Sequence, residues 1–141
     1  MNAVYADTSY WIALLNREDG LHSKAMRLNL QMEAIEIVTS EMVLVEVLNH
    51  FAGASPRLRA GVSVFIEEMY DHPYCRVITQ SSRQFREALN FYRQRADKQW
   101  SLTDCASMLI MRSEGIQAAL SYDRHFAQAG FTALLRENVG D

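Results

Sequence analysis

No apolar run in this 141-residue chain approaches the roughly 20 residues that span a bilayer, because charge interrupts each one well short of it. The start of the chain has neither the basic segment nor the long apolar stretch of a secretory signal, so a cytoplasmic location is expected. Cysteine is scarce. Cys75 and Cys105 stand alone without CxxC spacing, which argues against a disulfide framework and fits reduced core thiols. His22, His50, His72 and His125 form no HxxxH or HExxH pattern. His72 and Cys75 lie close together, but two donors do not make a zinc site. Lysine is nearly absent, with Lys24 and Lys98 the only two among 14 basic residues. No linker, repeat or low-complexity stretch divides the sequence, so one domain spanning 1–141, large enough for a proper core, is expected.

Against this ordinary background, four acids stand in apolar surroundings. Asp7 follows Ala3-Val4-Tyr5-Ala6, and Glu46 lies inside Met42-Val43-Leu44-Val45-Glu46-Val47-Leu48. Asp104 opens a run through Met111, and Asp123 closes the run from Ala118 to Tyr122. A buried, unpaired carboxylate costs several kcal/mol, on the order of 3–5, and no Lys or Arg falls at helical spacing from the first three. A divalent cation would neutralise all four, and carboxylate oxygens suit Mg2+ or Mn2+. The net charge of −3 becomes +1 when the four acids are set aside, so the remaining surface is too near neutral to drive strong salt-dependent binding of nucleic acid.

Patterning alternates strand with helix. Strands are expected over 2–6, 35–39, 76–79, 117–121 and 131–134. Helices are expected from 8, over 21–33, 41–52, 56–71, 82–96 and 103–114, with a short one over 124–129. The 82–96 helix would bury Phe85, Leu89 and Tyr92. Such alternation predicts an α/β fold with a parallel sheet covered on both faces, whose sites lie at the carboxyl ends of the strands. Asp7 and Asp123 fall at such ends.

Each aspartate also has a plain helix-capping reading. Asp7 and Asp123 can be N-caps, and Ser101-Leu102-Thr103-Asp104 fits a capping box. Glu46, inside an apolar helix, is not a cap, and its plain reading is a partly exposed surface residue. The same geometry would gather several carboxylates at one sheet edge, where their repulsion needs a counter-charge.

The order Asp7-Thr8-Ser9, Glu46 with Asn49, Thr103-Asp104-Cys105-Ala106 and Ser121-Tyr122-Asp123-Arg124-His125-Phe126 resembles the PIN-domain family. More narrowly, it is similar to the VapC-type toxins of toxin–antitoxin pairs. Each motif is short, but the four in this order cover the chain from Val4 to about Gly130. The resemblance implies a three-layer α/β/α sandwich and a Mg2+- or Mn2+-dependent endoribonuclease with one or two ions. It implies that Asp7, Glu46, Asp104 and Asp123 are the catalytic, metal-binding acids, with Thr8 and Ser121 supporting them through their hydroxyls. The bulk of Tyr122 beside the last acid would narrow the metal pocket. The resemblance further implies an RNA substrate and a small antitoxin whose helix fills an apolar groove, for which Trp11, Leu14, Phe51 and Phe65 are candidates against a plain core reading. A homodimer is compatible with it.

Arg83, Arg86 and Arg93 share one face of the 82–96 helix and could track an RNA backbone; a solvated face near Glu87 is the alternative. A haloacid-dehalogenase-like phosphatase needs an acid where Ser9 stands, and a phospho-receiver needs a paired acid and a late Lys that are not there. Two alternatives stay open: a PIN nuclease of RNA processing or repair, and a catalytically silent RNA-binding PIN-like domain.

Overall fold

Val4, Tyr5 and Ala6 are fully buried, as a strand with neighbours on both sides and helices on both faces requires. The structure, a computed structural model, describes residues 2–137; residues 1 and 138–141 of the expected domain lie outside the described residues. In chain order, β1 (Ala3–Ala6) leads to α1 (Thr8–Leu15) and α2 (His22–Gln31), then β2 (Glu36–Ser40), α3 (Glu41–His50) and α4 (Pro56–Met69). β3 (Cys75–Ile78) follows, then α5 (Ser82–Gln94), α6 (Leu102–Glu114), β4 (Ala118–Leu120), α7 (Arg124–Gln128) and β5 (Thr132–Ala133). The chain forms a three-layer α/β/α sandwich, and every expected element is present with ends within a few residues.

The sheet is wholly parallel, in the order β3-β2-β1-β4-β5. From β1 the chain first builds outward through β2 to β3, then returns to place β4 against the other side of β1. The winding reverses between β1 and β4, and at such a switch point the connections leave in opposite directions and open a crevice at the strand ends. Tyr5 pairs with Ala119 and Ala6 with Leu120 there, and the Asp7 N–H continues the ladder to the Leu120 carbonyl at 3.1 Å.

Serines start four of the helices. Ser40, Ser55, Ser81 and Ser101 each accept the N–H three residues on, satisfying an orphan donor of the first turn. Gly115 ends α6 in the left-handed region, at φ 68°, where a side chain would be strained. Tyr5 ties the layers together: its buried hydroxyl donates to Ser40 Oγ at 3.0 Å and lies 2.8 Å from Ser107 Oγ, one turn beyond Asp104 on α6. Burial pushes that phenol well above its usual range.

α5 departs from the expected face. Phe85 and Tyr92 are exposed, whereas Ala88 and Phe91 point inward. Ala88 packs with Ala106, Met42 and Leu102, so small residues let α5 approach α6 closely and decide the rotation of the helix. No helix among the described residues is long and apolar enough to cross a membrane.

Candidate metal centre

Three chain segments meet at the switch point. Asp7 ends β1, Asp123 follows β4 by three residues, and Asp104 stands in the first turn of α6. Glu46 reaches the same region from the middle of α3. Asp7 and Asp104 are buried, and Glu46 and Asp123 are half-buried.

Hydroxyls fix the carboxylates. Ser121 Oγ donates to Asp7 Oδ2 at 2.9 Å and accepts the Asp123 N–H at 3.0 Å, linking the ends of β1 and β4. Thr8 Oγ1 donates to Glu46 Oε1 at 2.6 Å, joining α1 to α3. Both hydroxyls singled out from the sequence thus act on neighbouring acids. Ser9, the last residue of the Asp7-Thr8-Ser9 motif and not among the supporting hydroxyls expected from the sequence, lies 3.3 Å from Ser121 Oγ and accepts the Tyr122 N–H at 3.1 Å.

The capping readings hold for two aspartates and fail for one. Ser101 and Asp104 form the reciprocal capping box, with the Ser101 N–H on Asp104 Oδ2 and the Asp104 N–H on Ser101 Oγ, both at 3.0 Å. Asp123 Oδ1 caps α7 by accepting the His125 N–H at 2.9 Å. Asp7 occupies the N-cap position of α1 but makes no side-chain cap bond. Capping and clustering coexist here, because the N-termini of α6 and α7 converge on one place.

His125, quoted within the Ser121–Phe126 motif but given no role there, joins this cluster, which histidine spacing in the sequence does not reveal. Its Nδ1 lies 2.9 Å from Asp104 Oδ2 and 3.1 Å from Asp123 Oδ1, and donor atoms of all three residues fall within 4.8 Å of one another. The histidine patterns test only for other histidines, and no sequence signal links His125 to an acid 21 positions earlier.

Electrostatics make the site costly when empty of counter-charge. The Asp7 carboxyl is pushed up to about 7, first by burial and then by the charges of Asp104 and Glu46, against the Thr8 backbone N–H and the Ser121 hydroxyl, which hold it down. Among the described residues no lysine or arginine pairs with any of the four acids; the Arg ion pairs join Glu36, Glu87, Asp97 and Glu114. The donor bonds leave one oxygen each of Glu46, Asp104 and Asp123 uncommitted. Converging carboxylates with spare oxygens and no fixed cation fit Mg2+ or Mn2+, which take oxygen donors.

A family model for the PIN domain matches residues 4–132. The chain belongs to the PIN domain family. Within that family it is 29% identical, over 95% of its own length and 99% of the relative's, to the 23S rRNA-specific endonuclease VapC20 of two Mycobacterium tuberculosis strains. The crystal structure of M. tuberculosis VapC20, titled a Sarcin-Ricin loop cleaving toxin, superposes with a TM-score of 0.80 at 27% identity. That match covers 92% of this chain and 96% of the other.

Other sequence candidates distribute differently on the PIN fold. Arg83, Arg86 and Arg93 are all exposed on α5, and Arg83 is held by Glu87 at 3.0 Å. Tyr122 is 45% exposed, with the Arg136 guanidinium 4.7 Å over its ring. Its bulk is therefore turned substantially to solvent. Trp11, Leu14 and Phe65 line a largely apolar cavity of about 580 Å³ with Leu30, Met32 and Met69, beside the acids Glu33 and Glu68. Trp11 and Phe51 are both only 3% exposed and pack in the core, as the plain reading expects, and of the two only Trp11 also borders the cavity.

Proposed function

We propose that this PIN protein, read as one unit over 1–141, is a metal-dependent endoribonuclease, the toxin of a toxin–antitoxin pair. The observation that carries this is the convergence of Asp7, Glu46, Asp104 and Asp123 on the β1/β4 crevice, with no lysine or arginine paired to them among the described residues. The likeness to a 23S rRNA endonuclease supports the substrate class and makes ribosomal RNA the first to try. Asp7, Glu46, Asp104 and Asp123 would hold Mg2+ or Mn2+. Bound there, the ion would supply Lewis-acid stabilisation of phosphoryl charge and lower the pKa of water for phosphodiester hydrolysis. The chain's own task is orientation: Ser121 sets Asp7, Thr8 sets Glu46, and the capping box sets Asp104.

The deciding experiment incubates purified protein with total RNA, with and without Mn2+ or Mg2+, and maps the new ends. Discrete ends that require the metal are expected. Binding without any cleavage would leave the catalytically silent reading. Cleavage by a gene with no small neighbouring antitoxin frame would favour the processing or repair reading.

Exposed Arg86 and Arg93, with Arg83 if it releases Glu87, are proposed to follow the RNA backbone. Replacing all three with Gln should lower the slope of log affinity against log salt by about one for each phosphate no longer neutralised. An unchanged slope makes the stripe ordinary surface.

The cavity beside Trp11, Leu14 and Phe65 is the proposed seat of an antitoxin helix, by the helix-in-groove mode, with Glu33 and Glu68 facing basic residues of the partner. Leu14→Glu with Phe65→Glu should prevent co-purification with the co-expressed antitoxin and leave metal-dependent RNA cleavage in place. Undiminished co-purification would move the partner elsewhere.

A further inference from the structure

We infer that His125 is a positioning residue whose Nδ1–H, donated to Asp104 and lying against Asp123, turns one oxygen of each aspartate toward the cation; this rests on the metal-dependent reading above. The hydrogen bonds sort the oxygens cleanly. Asp104 Oδ2 takes the Ser101 N–H at 3.0 Å and His125 Nδ1 at 2.9 Å. Asp123 Oδ1 takes the His125 N–H at 2.9 Å and lies 3.1 Å from the same Nδ1. Among the described residues, every donor therefore falls on Asp104 Oδ2 or Asp123 Oδ1, and none on Asp104 Oδ1 or Asp123 Oδ2.

A carboxylate's terminal torsion is broad and twofold, so one donor leaves its plane loosely set. Two donors on Asp104 Oδ2 fix which of its oxygens faces inward, and the His125 N–H together with the nearby Nδ1 does the same at Asp123 Oδ1. Carboxylates only accept, so two brought this close repel unless an N–H lies between them, and His125 Nδ1 is the side-chain donor there. The tautomer follows from the partners: Nδ1 carries the hydrogen because both neighbours are acceptors.

The same geometry argues against His125 as a direct ligand through Nδ1. A coordinating Nδ1 would turn a lone pair, without hydrogen, toward two carboxylate oxygens at 2.9 and 3.1 Å. The contact also spans the fold. It ties the start of α7, a helix of five residues, to the start of α6, while buried Phe126 and the bond from Trp100 Nε1 to Gln128 Oε1 at 3.0 Å anchor the rest. His125 can therefore be altered while α7 stays docked.

The test titrates Mn2+ alone into wild type, His125→Ala, His125→Asn and His125→Gln, reading free Mn2+ by electron paramagnetic resonance and folding by melting temperature. Outer-shell partners of metal ligands are worth about 10–100-fold in metal affinity, and a loss of that size is expected for His125→Ala. Asn, whose amide nitrogen can stand where Nδ1 stands, should recover most of it. Gln, which matches the outer ring nitrogen instead, should not. Electron spin echo modulation of bound Mn2+ in wild type should show no directly coordinated nitrogen.

Wild-type affinity in a folded His125→Ala protein, with or without a lower melting temperature, would overturn the inference. So would a nitrogen coupling lost with the imidazole. If His125→Ala does not fold, the contrast between Asn and Gln decides, and equal affinities overturn it. Wild type that binds no Mn2+ removes the metal-dependent reading and this inference with it, whereas a binding wild type with unaffected variants removes this inference alone.

Discussion

Asp7→Asn and Asp104→Asn should each reduce RNA cleavage by roughly a hundredfold or more, while both proteins should keep the wild-type circular dichroism spectrum. The magnitude follows from position. Losing a residue that only orients a ligand costs about 10–100-fold, so removing the charge of a ligand itself costs at least the upper end. The fold survives because Asn keeps the acceptor each position uses: Ser121 Oγ still donates to residue 7, and the Ser101 N–H still finds an oxygen at residue 104. Rates within a few-fold of wild type for either variant, measured on the RNA that wild type cuts, would remove that acid from the site.

The second large effect is on stability, and it runs opposite to the first. Asp7 titrates near 7 in the folded protein against 3.8 when unfolded, because burial and the charges of Asp104 and Glu46 oppose its ionisation. The folded state thus binds the proton more tightly between about pH 4 and pH 7. In metal-free protein this group's contribution is most favourable below its unfolded pKa, and it is lost as pH rises through 7. A shift of about three units corresponds to roughly 4 kcal/mol. Metal-free Asp7→Asn should be more stable than wild type at pH 8 by a large part of that amount, with the difference gone near pH 4. Denaturant unfolding in chelator at both pH values measures it, and a variant less stable than wild type at pH 8 contradicts it.

Mn2+ should offset part of that deficit in wild type. At about tenfold excess over Kd, binding adds roughly 1.4 kcal/mol, or about 3–6 °C, and Asp7→Asn should lose most of that shift. Asp7 is the cleanest position for this test because its side chain caps nothing, whereas Asp104 is also half of a capping box.

What the sequence discloses, and what it hides, divides along a physical line. Burial periodicity is local, so strands and helices are legible within a few residues, and the four acids stand out as charge in apolar runs. Parallel alternation implies sites at strand ends, which locates Asp7 and Asp123. Rotation of α5 is not legible, because Phe85, Leu89 and Tyr92 look more apolar than Ala88, yet Ala88 allows the closest approach to α6. Phe51 and Phe65 look alike as groove candidates, and only packing sends one inward and leaves the other at the cavity. His125 is hidden for a different reason. Its partner Asp104 is brought near by the packing of α7 against the start of α6 across β4, a contact 21 residues apart with no signature in any short window.

The return of β4 to β1 has a consequence for the timing of the protein's life. The inner pair of the sheet joins residues 5–6 to residues 119–120, and Asp123 lies just beyond them. Pairings so far apart in sequence form late in folding, after a costly loop closure. While the chain is being made, β1 waits with one flank open, and the proposed ligand set lacks its last member until about seven-eighths of the sequence exists. A nascent chain that stops short of Asp123 therefore cannot assemble the four acids, so the proposed cleavage would begin only once β4 and the turn after it have been made and paired with β1.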